Sequence, residues 1–183
     1  MKLRIISGKL RGRLLYLPDK GNDFRPTLER TRESVAEIIK SNLPDAVAVD
    51  LCAGSGAFGF EMLSRGCARV DFVEKDLRRA AQIKSNAEKL GVTESCRIYT
   101  QDVKAFLKKS GSRYDLIFYD PPYGMEDLAG LVPEIINLLA QDGILVYERS
   151  RAEQWKIPIV PFDSRVFGDT VVEFYRREEA CSS

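Results

Sequence analysis

"AVAVDLCAGSGAFG" occupies residues 46–59, and its two halves obey different rules. Ala46 to Leu51 is a β-branched, apolar run of strand length. The residues after it set Gly54, Gly56 and Gly59 in a G-x-G-x-x-G spacing and continue as a helix through Arg65. Strand, tight glycine turn and helix form the opening unit of a parallel α/β sheet, with a ligand held against the helix N-terminus. Outward from this unit the pattern repeats. "RVDFVE" reads as the next strand, Asp76 caps a helix running to Leu90, and Gly91 stops it. "CRIYT" follows with a short helix after Asp102, then "YDLIFYD", a helix between Val132 and Ala140 with Pro133 in its first turn, and the strand "GILVYE". "IPIVPFDSRVFG" and "TVVEFYRR" close the chain as two strands joined through Gly168-Asp169, with no helix between them. The predicted fold is α/β and Rossmann-like, a mostly parallel doubly wound sheet with an antiparallel C-terminal edge.

Residues 1–44 precede this pattern. "LRIISG" and "RLLYL" flank "GKLRG" as a β-hairpin, Pro18 to Pro26 is a loop, and a helix runs from about Thr27 to Asn42. Thr27 caps that helix, Leu28, Val35, Ile38 and Ile39 form its apolar stripe, and Pro44 ends it. The expected organisation is one compact domain, with an N-terminal hairpin–loop–helix extension over 1–44 and a ligand-binding core over 45–183.

Composition narrows the chemistry. The 183 residues carry 28 Lys and Arg against 27 Asp and Glu, and no histidine, which excludes an imidazole base or a His-ligated metal. Cys52, Cys67, Cys96 and Cys181 form no C-x-x-C pair, so they read as reduced thiols and no metal site is expected. No apolar run approaches the roughly 20 residues of a membrane span, and the start lacks a signal-peptide core, so a soluble cytoplasmic protein is expected. The balanced charge hides a basic end. Lys2, Arg4, Lys9, Arg11 and Arg13 come before the first acid, and Arg25, Arg30 and Arg32 follow. Such an end suits a phosphate-binding footprint, and it equally suits a solvated edge hairpin.

Glu74 ends the strand after the glycine turn, which completes a formal dinucleotide fingerprint. Asp50 argues against that ligand. A carboxylate where the strand enters the turn would repel pyrophosphate by about 4 kcal/mol per close charge pair at moderate effective dielectric. The same carboxylate favours an ammonium or sulfonium, and S-adenosylmethionine has both with no phosphate. Glu74 would then accept from the ribose hydroxyls, Asp102 would face the adenine amine, and Val103 would pack on the ring. Asp102 serves equally as the N-cap of its own helix.

"FYDPPYGM", residues 118–125, supplies the second half of the chemistry. An exocyclic amine on a base has its lone pair delocalised into the ring. Asp120 and the Pro121 carbonyl can accept its two N–H bonds and localise that pair. Pro121 and Pro122 fix their direction, and Tyr123 can stack on an unstacked base. An ordinary strand followed by an Asp-Pro turn is the bland alternative.

"DLCAGSGAFGFEMLSRG", "VEKD" and "FYDPPY", with "RIISGKLRGRLL", "RPTLERTRES" and "FGDTVVEFYRR" at the flanks, resemble the bacterial 16S rRNA guanine-N2 methyltransferase family, often called RsmD, within the class I methyltransferases. The likeness spans nearly the whole chain. It implies methyl transfer from S-adenosylmethionine to N2 of one guanine of 16S rRNA, within a partly or fully assembled small ribosomal subunit. Cofactor contacts would fall on Asp50, Ala53, Gly54 and Gly56 around the turn, on Glu74 and Lys75, and on Asp102 and Val103. Asp120, Pro121, Pro122 and Tyr123 would be catalytic. Lys9, Arg11, Arg13, Arg25 and Thr27 would meet RNA, with the hairpin near the mouth of the cleft. Cys52 stands where the family commonly has phenylalanine, and Arg149 where it often has histidine. Three rivals remain on the same residues: a DNA adenine-N6 or cytosine-N4 methyltransferase, a nicotinamide-dependent oxidoreductase, and a non-catalytic RNA-binding assembly factor.

Overall fold

The computed structural model describes residues 2–17 and 29–177. Lys2–Arg4 (β1) and Leu14–Tyr16 (β2) pair antiparallel as the expected hairpin, although each strand is only three residues long. Glu29–Ile38 forms α1 and is followed by a 3-10 turn at Lys40–Asn42. Thr27 and Leu28 lie outside the described residues. Val35 and Ile39 are buried as the stripe requires, but Ile38 is exposed and does not belong to it.

The core then alternates strands Val47–Leu51 (β3), Arg69–Val73 (β4), Cys96–Tyr99 (β5) and Tyr114–Tyr119 (β6) with helices Ala57–Ser64 (α2), Leu77–Leu90 (α3) and Val103–Lys109 (α4). Asp76 caps α3 through its side chain, accepting from the Arg78 and Arg79 N–H groups at 2.9 Å, and Gly91 ends the helix at φ 71°. After β6 come two short helices, Glu126–Ala129 (α5) and Val132–Ile136 (α6), and then Leu139–Ser150 (β7). The sequence predicts one helix over 132–140. The structure ends it at Ile136, because Leu139 and Ala140 join the sheet and Leu139 pairs with Tyr114. A register shift between Tyr114 and Leu116, with Asp142 at φ 61°, absorbs the mismatch. Asp163–Phe167 (β8) and Thr170–Arg176 (β9) are the antiparallel pair, and only the end of "IPIVPFDSRVFG" is strand.

The seven-stranded sheet runs β5-β4-β3-β6-β7-β9-β8, parallel from β5 to β7 and antiparallel through β9 and β8. The chain reverses its direction of winding between β3 and β6, and such switch points open a crevice at the carboxyl ends of the strands. One face of the sheet packs against α2, α3, α1 and the hairpin, in a cluster that includes Leu15, Val35, Phe60, Phe72 and Ile83. The other face carries α4, α5 and α6, with Phe106, Val132 and Ile135 against Leu51, Tyr119 and Tyr147. The Phe58 ring stacks on Phe118 with centroids 3.6 Å apart, which locks the first turn of α2 to β6. Among the described residues, no helix is long and apolar enough to cross a membrane.

Candidate functional site

Four adjacent strands finish level with one another. Val73 pairs with Leu51, Leu51 with Tyr119, and Tyr119 with Tyr147. The next residue on each is Glu74, Cys52, Asp120 and Glu148, so these four form a row across the carboxyl ends of β4, β3, β6 and β7. Neighbouring strands stand about 4.8 Å apart, which sets the pitch of that row. Three acids and a thiol at this spacing line the switch-point crevice.

The glycine turn fills the space above β3. Cys52, Gly54 and Gly56 all have positive φ, at 62°, 56° and 72°, so the chain coils tightly before entering α2. Gly59 is required for a different reason: a Cβ there would lie 2.3 Å from the Phe72 ring. Ala53 is buried and donates to the Val73 carbonyl at 2.9 Å, pinning the turn to β4. Glu74 is buried as well. One of its oxygens accepts from the Gly54 N–H at 2.7 Å and the other from the Asp76 N–H at 2.8 Å, so it ties the turn to the start of α3. Lys75 beside it is exposed.

Asp50 does not stand open in the cleft. It is 2% exposed and accepts from the Gly59 N–H at 3.0 Å, beneath the first turn of α2. Burial pushes its carboxyl up to about 8, against the pull of the Gly59 hydrogen bond and with the Glu74 charge adding to the rise. Cys52 reports the local field. Burial raises its thiol well above the usual range, and Asp120, Glu74 and Asp50 add to this while only Lys75 opposes. The crevice is therefore acidic. Asp102 is the N-cap of α4, accepting from the Ala105 N–H at 2.8 Å, and Val103 packs in the core with 5% exposure, which leaves little of it for a ring.

Across the switch point, Asp120 is half-buried, Pro121 buried and Pro122 exposed. The Tyr123 ring is 43% exposed, and its hydroxyl lies 3.2 Å from Thr170 Oγ1 and 3.5 Å from Glu148 Oε1. Burial of the hydroxyl, with Glu148 and Asp120 near it, pushes the phenol up to about 12. Glu153 accepts from the Gly124 N–H with one carboxylate oxygen and from the Ser150 N–H with the other, which holds this loop against the end of β7. Arg149 supports the same clamp. Its guanidinium binds Glu173 Oε1 at 2.6 Å and the Ser150 and Glu153 carbonyls, so it braces β7 against β9. Glu148, Thr170 and Glu153 were not anticipated from motif spacing. Glu148 had a signal nonetheless, as an acid at the end of an apolar strand.

The hairpin is not at the mouth of the crevice. Both Glu61 carboxylate oxygens accept from the Ile6 and Ser7 N–H groups, and the Lys9 N–H donates to the carbonyl of Ser64, the last residue of α2. Arg13 reaches the Lys89 carbonyl near the end of α3 at 2.7 Å. In a parallel α/β fold the helix C-termini lie opposite the strand carboxyl ends, so Lys9, Arg11 and Arg13 sit at the far end of the molecule from Asp120. The expectation of a basic hairpin beside the cleft fails because its backbone is claimed by Glu61 and Ser64. Arg25 and Thr27 lie outside the described residues.

The family described as "Conserved hypothetical protein 95" matches residues 3–176. Over 187 aligned residues the chain is 34% identical to the Ribosomal RNA small subunit methyltransferase D of Escherichia coli K12, covering 97% of this chain and 91% of that protein. The structure of a hypothetical protein from Thermus thermophilus superposes with a TM-score of 0.82 at 29% identity, over 95% of this chain and 99% of that one. An RNA methyltransferase from Salinibacter ruber, solved with S-adenosyl-L-homocysteine, shares the fold at 17% identity and a TM-score of 0.67, over 87% of this chain and 98% of its own.

Proposed function

The chain belongs to the family described as Conserved hypothetical protein 95, the family of small-subunit rRNA methyltransferase D, and on that premise we propose that it methylates 16S rRNA from S-adenosylmethionine, at the exocyclic N2 amine of one guanine. The observation that carries the reading is the row Glu74, Cys52, Asp120 and Glu148, which joins the glycine turn to the Asp120–Tyr123 loop in one acidic crevice.

The donor set fits this methyl donor. Glu74 and Asp120 flank Cys52 at the carboxyl ends of the strands with Lys75 as the opposing charge, a lining that favours an ammonium or sulfonium over a pyrophosphate. S-Adenosylmethionine, when bound, supplies an electrophilic methyl group whose bond pair returns to sulfur as the N2 lone pair takes the carbon. Glu74 keeps acceptor positions for ribose hydroxyls, since a carboxylate offers about four and two backbone N–H groups occupy it here. Asp120 and the Pro121 carbonyl would accept the two N2 hydrogens, turning the lone pair out of conjugation and towards the methyl carbon. One N2 proton must leave, and Asp120 or water takes it. The Tyr123 ring, anchored through its hydroxyl at Thr170, is the surface on which an unstacked base would rest.

Residues 1–44 then act as an RNA-facing extension of one compact domain. From the far end of α2 and α3, Lys9, Arg11 and Arg13 would hold phosphates of rRNA flanking the target, which adds salt-sensitive affinity without sequence information.

The test separates chemistry from binding. Asp120→Ala should lower methyl transfer to unmodified small subunits by at least about 100-fold, the usual scale for a group that positions a reacting atom. S-adenosylmethionine affinity, measured by calorimetry, should stay within about threefold. Retained turnover, or equal loss of turnover and cofactor affinity in a folded variant, contradicts the assigned role.

A further inference from the structure

The connection from β7 to β8, residues 151–162, carries no helix or strand, and an irregular segment of that length on a compact fold is ordinarily a binding element. It borders a cavity of about 470 Å³ with Tyr123, Gly124, Ser150, Glu153 and Trp155 in its wall. That volume falls in the range of roughly 300–1,000 Å³ common to small-ligand sites. Cys52, Asp120 and Pro121 are not in the wall, so the cavity adjoins the methyl-transfer site without being part of it, and Tyr123 belongs to both. The wall is fixed before any ligand arrives. Glu153 accepts from the Gly124 and Ser150 N–H groups, and the Arg149 guanidinium donates to the Ser150 and Glu153 carbonyls. The Arg151 N–H donates to the Asp169 carbonyl at 2.8 Å. Trp155 is half-buried and packs against the core on the α4–α6 side of the sheet. Its Nε1–H is shut off from solvent and has no acceptor among the described residues, so ring packing alone holds the indole.

We propose that this cavity takes the base of the nucleotide next to the methylated guanine, with Trp155 and Tyr123 as its aromatic contacts. The inference rests on the guanine-N2 reading above. A base turned out of its stack to reach the methyl donor leaves its neighbour without a partner on one side, and aromatic rings are the usual replacement. The cavity offers such rings in direct continuity with the surface on which the target base rests. Charge sorts the parts of the nucleotide. Glu153 keeps its negative charge inside the wall and repels a phosphate there, whereas an uncharged base meets no such penalty. Arg151 and Lys156, each next to a wall residue, are exposed and form no ion pair among the described residues, so they suit phosphates at the rim. RNA-binding groups then stand at the mouth of the crevice, where the basic hairpin is absent. The substrate chemistry follows: the enzyme takes two consecutive unstacked nucleotides of a single-stranded segment or loop, and a continuous duplex cannot supply them.

The experiment uses small subunits reconstituted around 16S rRNA ligated to lack one base, on the 5′ or on the 3′ side of the guanine that the wild-type enzyme methylates. For one of these two particles kcat/KM should fall by about 10-fold or more, the scale of one base–aromatic stack. Trp155→Ala should lose a similar factor on intact particles and almost nothing further on the particle lacking that base, while binding S-adenosylmethionine as the wild type does. Trp155→Phe, which keeps an aromatic ring, should recover most of the loss. A wild-type enzyme indifferent to both missing bases overturns the inference, and that result depends on no variant folding. If Trp155→Ala is defective on intact particles all the same, the cavity belongs to a protein of the subunit. Losses from Trp155→Ala and from the missing base that multiply also overturn it, since ring and base would then act apart. In each of these cases N2-methylguanosine from the wild-type reaction on intact particles leaves the functional reading standing. Its absence overturns the reading and the inference together.

Discussion

At Asp50 a single side chain serves both the fold and the crevice. Gly56 occupies the N-cap position of α2 in a left-handed conformation and offers no side chain to cap the helix. Asp50, reaching up from β3, supplies the missing acceptor to the Gly59 N–H. The cost is a carboxyl buried away from water, with a folded value of about 8 against an ordinary 3.8. The native state therefore keeps a proton that the unfolded chain has lost. The stabilisation is complete below the unfolded value of 3.8 and is lost as pH rises to the folded value of about 8. The slope in that window is at most about 1.4 kcal/mol per pH unit. Asp50→Asn keeps an acceptor and cannot ionise. Urea denaturation of the two proteins from about pH 5 to about pH 9 should show wild-type stability falling relative to the variant as pH rises. Parallel profiles would contradict the account. Sequence reasoning set this acid at the turn and gave it a free charge facing the ligand. Its partner was out of view because a helix backbone N–H nine residues along carries no sequence mark.

Among the elements, the hairpin departs most from what its residues suggested. Its basic character was plain, but its position was not, since that is fixed by Glu61 and Ser64 inside α2. "AFGFEMLS" is buried throughout, and an acid in such a helix was the available clue. Glu61 also pairs with Arg65 at 2.9 Å, and both carboxylate oxygens carry hairpin N–H groups, so the hairpin completes the hydrogen bonding of a buried carboxylate. Gly8 seals the contact. It has φ 80°, and a Cβ there would lie 1.9 Å from the Ser64 carbonyl oxygen, which is backbone and cannot step aside. Gly8→Ala should cost at least the roughly 1–2 kcal/mol of a left-handed L-residue, with the clash added. An unchanged denaturation midpoint would show that the hairpin does not dock this way. The boundary of α6 was misjudged for a related reason. "VPEIINLLA" has a helical apolar period, and only the pairing of Leu139 with Tyr114 draws its last residues into β7.

For the molecule as a whole, strand–helix alternation was enough to set the sheet, and the sheet sets the site. Once β3 and β6 are neighbours, the glycine turn and the Asp120–Tyr123 loop must face each other, whatever their side chains do. Those motifs were legible because their chemistry is local. The row from Glu74 to Glu148 was legible only in part, because register across four strands depends on packing from both faces of the sheet. The central claim is that this crevice joins a methyl donor to guanine N2, and one measurement addresses it directly. Small subunits lacking native methylation, and duplex DNA in parallel, would be incubated with enzyme and methyl-labelled S-adenosylmethionine, then digested to nucleosides. The account predicts label in N2-methylguanosine from 16S rRNA and none in the DNA. Label in another nucleoside, or in DNA bases alone, would contradict it.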